Sequence, residues 1–212
     1  MEEQIVCFKS ELLNQYLNQS KVFYIPSLWN NILENLQSFP RTSAEQDYRY
    51  KQLVVYIVIK SRDLFLTYQR TSKTTEERLR EKYSLGIGGH INVTDKNQLT
   101  FFDGPEKSIF LQAFWREVNE EIIIRAKILN EPNVFCFIND DSNDVGKVHF
   151  GIVVLLEISE PNVHRKRDGG VGKLKFYNLP EIESKKNAFE EWSQLLIDFF
   201  IKTKKQENRL RR

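Results

Sequence analysis

The sequence predicts an α/β domain in which a mixed β-sheet is packed between helical layers, and three stretches carry that prediction. Gln52 to Lys60, QLVVYIVIK, is apolar and largely β-branched, the composition of a strand covered on both faces. Val148 to Ile158, VHFGIVVLLEI, is a second strand, with Val148, Phe150, Ile152, Val154 and Leu156 on one face. Between them, Gly104 to Ile124, GPEKSIFLQAFWREVNEEIII, has helical periodicity. At about 100° per residue, Leu111, Trp115, Val118 and Ile122 form one apolar stripe, and Phe110, Ala113 and Phe114 form a second beside it. A helix apolar on two sides is packed between layers, which places it against a sheet.

The remaining elements follow in order. Glu2 to Phe8 predicts a short strand, Ser10 to Leu13 the start of a weak helical pattern, and Leu28 to Leu36 a helix closed before Pro40. Asp63 to Arg70, DLFLTYQR, follows the first strong strand after a short polar connection and pairs with it as a hairpin. The polar run from Thr71 to Glu81 reads as a loop or short helix carrying Arg78 and Arg80. Tyr83 to Ile91, YSLGIGGHI, alternates weakly and ends in glycines, where a strand turns sharply or lets another group approach its backbone. Asn92 to Asp103 is a polar insertion, a small loop or an extra hairpin. Val134 to Ile138 reads as a strand, Asn139 to Asp144 as a polar turn, Asn162 to Gly172 as a loop and Leu174 to Tyr177 as a short strand. Phe189, Trp192, Leu195, Leu196, Phe199 and Phe200 place a helix over Asn187 to Ile201 that docks on the sheet through its aromatic residues. No repeat, linker or low-complexity segment interrupts the pattern, so the organisation read here is one domain over residues 41–212 with an N-terminal extension over residues 1–40.

Composition narrows the classes of function. A chain of 212 residues with 41% hydrophobic content builds a sizeable core, and a net charge of +2 argues for neither a nucleic-acid nor a membrane partner. The basic run from Lys202 to Arg212 reads as a solvated helix end. Cys7 and Cys136 stand far apart in apolar contexts and make neither a disulfide framework nor a metal-ligand spacing. With no signal-peptide pattern and no membrane-length apolar run, they point to the cytoplasm. Asp140, Ser142 and Asp144 have some of the spacing of a calcium loop, but Val145 stands where such a loop needs glycine and no glutamate follows at the required distance.

Continuing the second stripe of the Gly104 helix towards its C-terminus meets Glu117, Glu120 and Glu121, within an arc of about 100°. Like charges three and four apart on a helix repel. Such a cluster is either a solvated helix face or a site where a hard divalent cation takes the carboxylate oxygens. The wording of the stretch adds to this. Arg116-Glu117-Val118-Asn119-Glu120-Glu121 resembles the core of the Nudix box, Arg-Glu-apolar-x-Glu-Glu, and Gly88-Gly89-His90 resembles the glycine pair that opens it. The Gly-Ile-Gly-Gly-His turn, Ile138 to Asn143, Val145-Gly146 and Val148-His149 are similar to a bacterial subgroup of the same superfamily, so the resemblance runs from about Arg41 to Phe200.

The resemblance implies a Nudix-like α/β/α sandwich and a metal-dependent hydrolase of a diphosphate linkage in a nucleoside diphosphate derivative. It implies Mg2+ or Mn2+ bound by Glu117, Glu120, Glu121 and the Gly89 carbonyl, with Arg116 orienting a helix carboxylate and Glu120 as general base, Glu157 in reserve. The partner is then a small-molecule diphosphate substrate, with homodimer formation left open. Among the charged residues around the glycine turn, Arg70, Arg78 and His149 are the candidates for binding its phosphates, each weighed against an ordinary surface or core role.

The chain departs from the family pattern in the polar insertion and at two further positions. Ser108 stands where the family has its first glutamate, and Glu106, the nearest acid, lies 11 residues before Glu117, about 16 Å along a continuous helix, too far to share one ion. Ile123 replaces the glycine that follows the paired glutamates and suggests an exit straight into the next strand. These departures keep open a non-catalytic nucleotide-sensing or binding protein. A third reading, an isoprenoid-diphosphate isomerase, needs a reactive cysteine, for which Cys7 and Cys136 are the candidates.

Overall fold

A computed structural model describes residues 2–16, 20–70, 82–97, 105–167 and 170–210. Strand β1 (Gln4–Lys9) leads into a 3-10 helix over Ser10–Tyr16, then β2 (Val22–Phe23), α1 (Pro26–Glu34), β3 (Gln37–Pro40) and α2 (Arg41–Ala44). The strong strands are β4 (Tyr50–Ser61) and β5 (Leu64–Arg70), joined by a two-residue turn in which Arg62 takes φ 53°. Two short strands, β6 (Tyr83–Ser84) and β7 (Gly86–Ile87), precede a 3-10 helix over Val93–Asn97 and the long helix α3 (Pro105–Glu121). After α3 come β8 (Ile122–Ile124), β9 (Val134–Ile138), α4 (Asp144–Val148), β10 (His149–Glu157), β11 (Val163–Arg165), β12 (Val171–Asn178), α5 (Leu179–Ser184) and α6 (Glu191–Leu210).

By its contacts the chain forms two compact units. The first comprises Met1–Tyr56, Gly88–Glu117 and Pro132–Val154. Within it β2 pairs with β9 and β9 with β10, while β1 pairs with β3 and, from Cys7 onward, with β4, all antiparallel. Residues 1–40 contribute β1, β2 and β3 to this sheet. Where β1 leaves β4, the glycine turn takes its place: Val55 N–H donates to the Gly89 carbonyl at 3.0 Å, Ile91 N–H to Leu53 at 3.0 Å, and Val6 N–H to Ile91 at 2.8 Å. Only glycine fits at position 88, because a Cβ there would lie 1.8 Å from the Val55 carbonyl oxygen. The core beneath is aromatic, with Phe150 edge-on to Phe8 at 5.2 Å and Trp29 of α1 edge-on to Phe110 of α3 at 5.8 Å. Helix α3 buries Ile109, Phe110, Ala113 and Phe114, whereas Leu111 and Trp115 of the other expected stripe are only half-buried.

The second unit comprises Ile57–Ile87, Val118–Glu131 and Leu155–Arg212. Here β12 pairs with β5 along almost its whole length, β5 pairs with β6 and with the end of β4, and β7 pairs with β4. Strand β11, expected as loop, pairs with β8, so a polar stretch of low strand propensity is made a strand by its partner. Helix α5 is set by a reciprocal cap in which Asn178 Oδ1 accepts from Glu181 N–H and Glu181 Oε2 from Asn178 N–H, each at 2.9 Å. Helix α6 begins later than its apolar pattern suggested because Glu190 caps it. That carboxylate, 6% exposed, accepts from the N–H groups of Trp192 at 2.9 Å and Ser193 at 3.0 Å, and from the Ser84 hydroxyl at 3.3 Å. It thereby ties the start of α6 to β6, while Phe200 packs on Phe65 at 5.1 Å further along.

Removing this cap takes the Glu190 acceptor from two helix N–H groups and from the buried Ser193 hydroxyl, whereas Ser84 keeps the Gly86 carbonyl at 2.9 Å. Glu190→Ala is expected to lower unfolding stability by about 2 kcal/mol, and Glu190→Gln, which still offers an oxygen, by less. Urea midpoints of the three proteins check the order.

Candidate functional site

The site is built outward from the last two turns of α3. In the first unit Glu117 is 7% exposed, its burial following from its place on the Phe110–Phe114 stripe. A carboxylate so placed must be charge-compensated, and Arg116 donates from Nη1 to Glu117 Oε1 at 2.6 Å. Arg116 is itself fixed by Asp95, with Nε to Oδ1 at 2.8 Å and Nη2 to Oδ2 at 3.1 Å, and by the His90 carbonyl, to which Nη2 donates at 2.8 Å. Burial alone would lower the Arg116 pKa, but the Asp95 hydrogen bonds and the charges of Glu117 and Asp95 outweigh it and hold the guanidinium well above its ordinary value. Asp95 comes from the 3-10 helix inside the polar insertion and also accepts from Asn92 N–H at 2.8 Å. Sequence reasoning missed it; the available signal was an acid in the first turn after Asn92.

Gly89 completes this corner. A Cβ at that position would stand 2.5 Å from Glu117 Oε1 and 3.1 Å from Oε2, so the absent side chain is what admits the carboxylate against the turn. The Gly89 carbonyl oxygen accepts from Val55 N–H in the sheet.

His90 Nε2 lies 3.0 Å from His149 Nε2, and His149 Nδ1 lies 2.7 Å from the Val145 carbonyl oxygen. A carbonyl can only accept, so His149 carries its proton on Nδ1 when neutral, and His90 Nε2–H donates to the bare His149 Nε2. Burial first, then His149, Arg41 and Arg116, push the His90 pKa down to about 3. The loop that presents His149 is held by Lys51, 2% exposed, whose Nζ donates to the Gly146 carbonyl at 2.8 Å and binds Asp141. Burial lowers the Lys51 pKa, with Asp141 opposing. Lys21 pairs with Asp140 at 2.6 Å, and Asn143 caps α4 by accepting from Gly146 N–H at 2.8 Å. The acidic run that resembled a calcium loop is therefore engaged by lysines and a helix start.

In the second unit, Glu121 Oε2 accepts from Val171 N–H at 3.1 Å and the Glu121 carbonyl from Lys166 N–H at 2.9 Å. Glu120 is exposed. Arg70 is half-buried with its guanidinium 5.8 Å from the Tyr68 ring, and Glu157 pairs with Lys60 at 3.6 Å. Arg78 lies outside the described residues, as do the side chains of Glu106 and Ser108. Cys7 and Cys136 are both 0% exposed, and burial pushes each thiol up to about 12, so neither supplies the reactive thiolate an isomerase needs.

Oxygen donors dominate this inventory, which is the chemistry a hard divalent cation selects. At the Gly89 corner two buried carboxylates, Asp95 and Glu117, share the Arg116 guanidinium, two negative charges against one positive. That excess fits a cation. Among the described residues no three acid, histidine or cysteine side chains converge closely enough to hold an ion as they stand, so the fit rests on donor chemistry.

No protein-family profile matches the chain. It is similar to Protein YmaB of Bacillus subtilis (strain 168), with 31% identity over 194 residues that cover 90% of this chain and 91% of that one. Among solved structures it is similar to Tm1382, a proposed Nudix hydrolase, with 25% identity and a TM-score of 0.73 over 95% of this chain and 100% of the other. DR0079 from Deinococcus radiodurans shares the fold at 11% identity and a TM-score of 0.51, over 77% of this chain and 91% of that one. The fold is an α/β/α sandwich with a mixed, largely antiparallel sheet, the class read from the sequence.

The pH dependence of stability follows from His90. Its folded pKa lies below the ordinary 6.5, so as pH falls below 6.5 the unfolded chain takes up a proton that the folded chain refuses. Stability is whole above 6.5, declines as pH falls, and stops declining from this source below about 3. His90→Gln is expected to flatten this part of the curve, measured as the difference in unfolding free energy between variant and wild type at each pH.

Proposed function

The chain belongs to the Nudix hydrolase superfamily, and from that premise we propose that it hydrolyses a diphosphate linkage in a nucleoside diphosphate derivative. The superfamily's hydrolases act on phosphorus-containing anhydrides. The observation that carries the reading is the Arg116 corner, where a buried glutamate of α3 is held against a bare glycine backbone by a guanidinium that two other groups fix. Such rigid placement of a charged carboxylate on a helix is what a pre-organised ligand for phosphate chemistry requires.

Glu117, Glu120 and Glu121, with the Gly89 carbonyl, would hold Mg2+ or Mn2+. Bound there, the ion supplies a Lewis acid for the diphosphate oxygens and lowers the pKa of a bound water. Arg116 acts as a positioning residue, since four of its five N–H donors go to Asp95, Glu117 and the His90 carbonyl. Glu120, exposed at the end of α3, is the candidate to take the proton of the attacking water, with Glu157 in reserve. Arg70, Arg78 and His149 are the candidates for phosphate contact; neutral His149 gives its one N–H to Val145 and accepts from His90 at Nε2, so it must take up a proton or release one of these bonds to donate to phosphate. With both cysteines reduced and buried, we place the enzyme in the cytoplasm, acting on a small-molecule substrate.

Glu120→Gln with Glu121→Gln should abolish most metal-dependent release of phosphorylated products while the protein stays folded. Mg2+ or Mn2+ should stabilise the wild type by about 2.7 kcal/mol at a hundredfold excess over its dissociation constant, and the double variant much less. A wild type whose melting is indifferent to both metals, with a double variant of full activity, overturns the reading. Separately, Arg70→Ala, Arg78→Ala and His149→Ala should raise KM at one position or more; three unchanged values remove these residues from the site.

A further inference from the structure

The first unit carries a polar cluster that the proposed chemistry leaves unused, on the face of its sheet turned away from α3. Phe8 and Phe150 belong to the aromatic core that runs through Phe137 and Trp29 to Phe110 of α3. Side chains alternate along a strand, so Cys7 and His149, their chain neighbours, face the other way. Register puts more residues on that face. Gln52 stands opposite Cys7, Asn92 opposite Ile5, and His90 opposite Val54, which shares its face with Gln52. The same alternation parts His90 from the carboxylates, because a side chain at Gly89 would point at Glu117.

His90 and His149 meet tip to tip here, with their Nε2 atoms 3.0 Å apart. Two nitrogens on a tetrahedral zinc-type ion, each about 2.0–2.1 Å from it, stand roughly 3.3 Å apart, so a small spread seats an ion between them. His149 has the support that a ligating imidazole has: its Nδ1–H donates to the Val145 carbonyl at 2.7 Å, which fixes the tautomer and bares Nε2. His90 bares its own Nε2 by moving that proton to Nδ1, with no change of charge. The cations that bear on His90 are each held by two carboxylates, Arg41 by Glu3 and Glu45, Arg116 by Asp95 and Glu117. A second observation points to a ligand. Gln52 is 0% exposed and neither amide atom has a hydrogen-bond partner among the described residues; Asn92 Oδ1 is buried in the same condition. Gln52 is the diagonal neighbour of His90 across the sheet, within reach of long side chains. A buried acceptor is costly until a donor meets it, and water bound to an ion at the histidine tips is such a donor.

We propose that His90 and His149 bind a divalent transition-metal ion of the zinc class through their Nε2 atoms, at a site separate from the glutamates of α3. Imidazole suits zinc, cobalt and nickel, whereas magnesium selects oxygen ligands, so this site stands whether or not the chain is a hydrolase. Its role is a clamp. The His90 carbonyl holds Arg116, and the ion joins that glycine turn to the head of β10. Calorimetry of the metal-free full chain with Zn2+, under excess Mg2+, should give one site per chain that Glu120→Gln with Glu121→Gln leaves intact. His90→Gln and His149→Gln should each weaken it roughly tenfold or more, and His164→Gln, which removes the third histidine, should not. No binding in the wild type, binding that survives both variants, or binding lost in the His164 or glutamate variant each overturns the proposal. Nitrogen NMR of the wild type decides independently of how the variants fold. Zn2+ should shift the Nε2 resonances of His90 and His149 together and leave His164 in place; any other pattern overturns the site.

Discussion

The corner of the molecule depends on one guanidinium. Arg116 joins three pieces of chain: the last turns of α3 through Glu117, the inserted 3-10 helix through Asp95, and the glycine turn through the His90 carbonyl. Without it, Glu117 and Asp95, each 7% exposed, would be two buried like charges deprived of the guanidinium they share, and removing the partner of a buried charge typically costs several kcal/mol. The planarity of arginine is what allows three separate bonds to hold one geometry, which a lysine at 116 could not reproduce.

The glycine turn brings its own constraint. Position 88 has no room for a side chain against the Val55 carbonyl, and position 89 has none against the Glu117 carboxylate. The two glycines therefore serve different neighbours, the first packing the turn onto β4 and the second admitting the acid. His90, next in the chain, sends its carbonyl to Arg116 and its ring to His149, so the loop held by Lys51 is coupled through a neutral imidazole pair to the same guanidinium. Neutrality is what makes that pairing workable, because two imidazolium rings at 3.0 Å would repel.

Much of this was legible in the sequence, and what was not has a common cause. Periodicity located β4, β5, β9, β10, α3 and α6, since each buries a patterned face. The pairing of Arg116 with Glu117 lies within one motif, so its residues could be named. Asp95 and Lys51 could not, because nothing local marks an acid in an insertion or a lysine at the start of an apolar strand as partners of residues 21 and 90 positions away. Strand β11 was invisible for the same reason: its reason to be extended is β8. Helix α5 is a different kind of miss. Asn178 and Glu181 spell a reciprocal cap that was there to be read.

The substitution of Ile123 for the usual glycine illustrates how tertiary structure replaces a local signal. A glycine after the paired glutamates would let α3 end in a left-handed turn whose N–H groups satisfy the last carbonyls. Here α3 ends at Glu121 and the chain enters β8 at Ile122 without such a turn, so those carbonyls must find donors elsewhere. Lys166 supplies donors to two of them, its N–H to Glu121 and its Nζ to Asn119. The strand pairing of β8 with β11 then explains why Ile123 is tolerated: it stands opposite His164 on the exposed side of a two-stranded ribbon, where a β-branched residue suits an extended backbone and a glycine would weaken it. With isoleucine at this position, the end of the helix that carries the glutamates is capped by a basic loop 45 residues downstream, which forms part of the helix terminus.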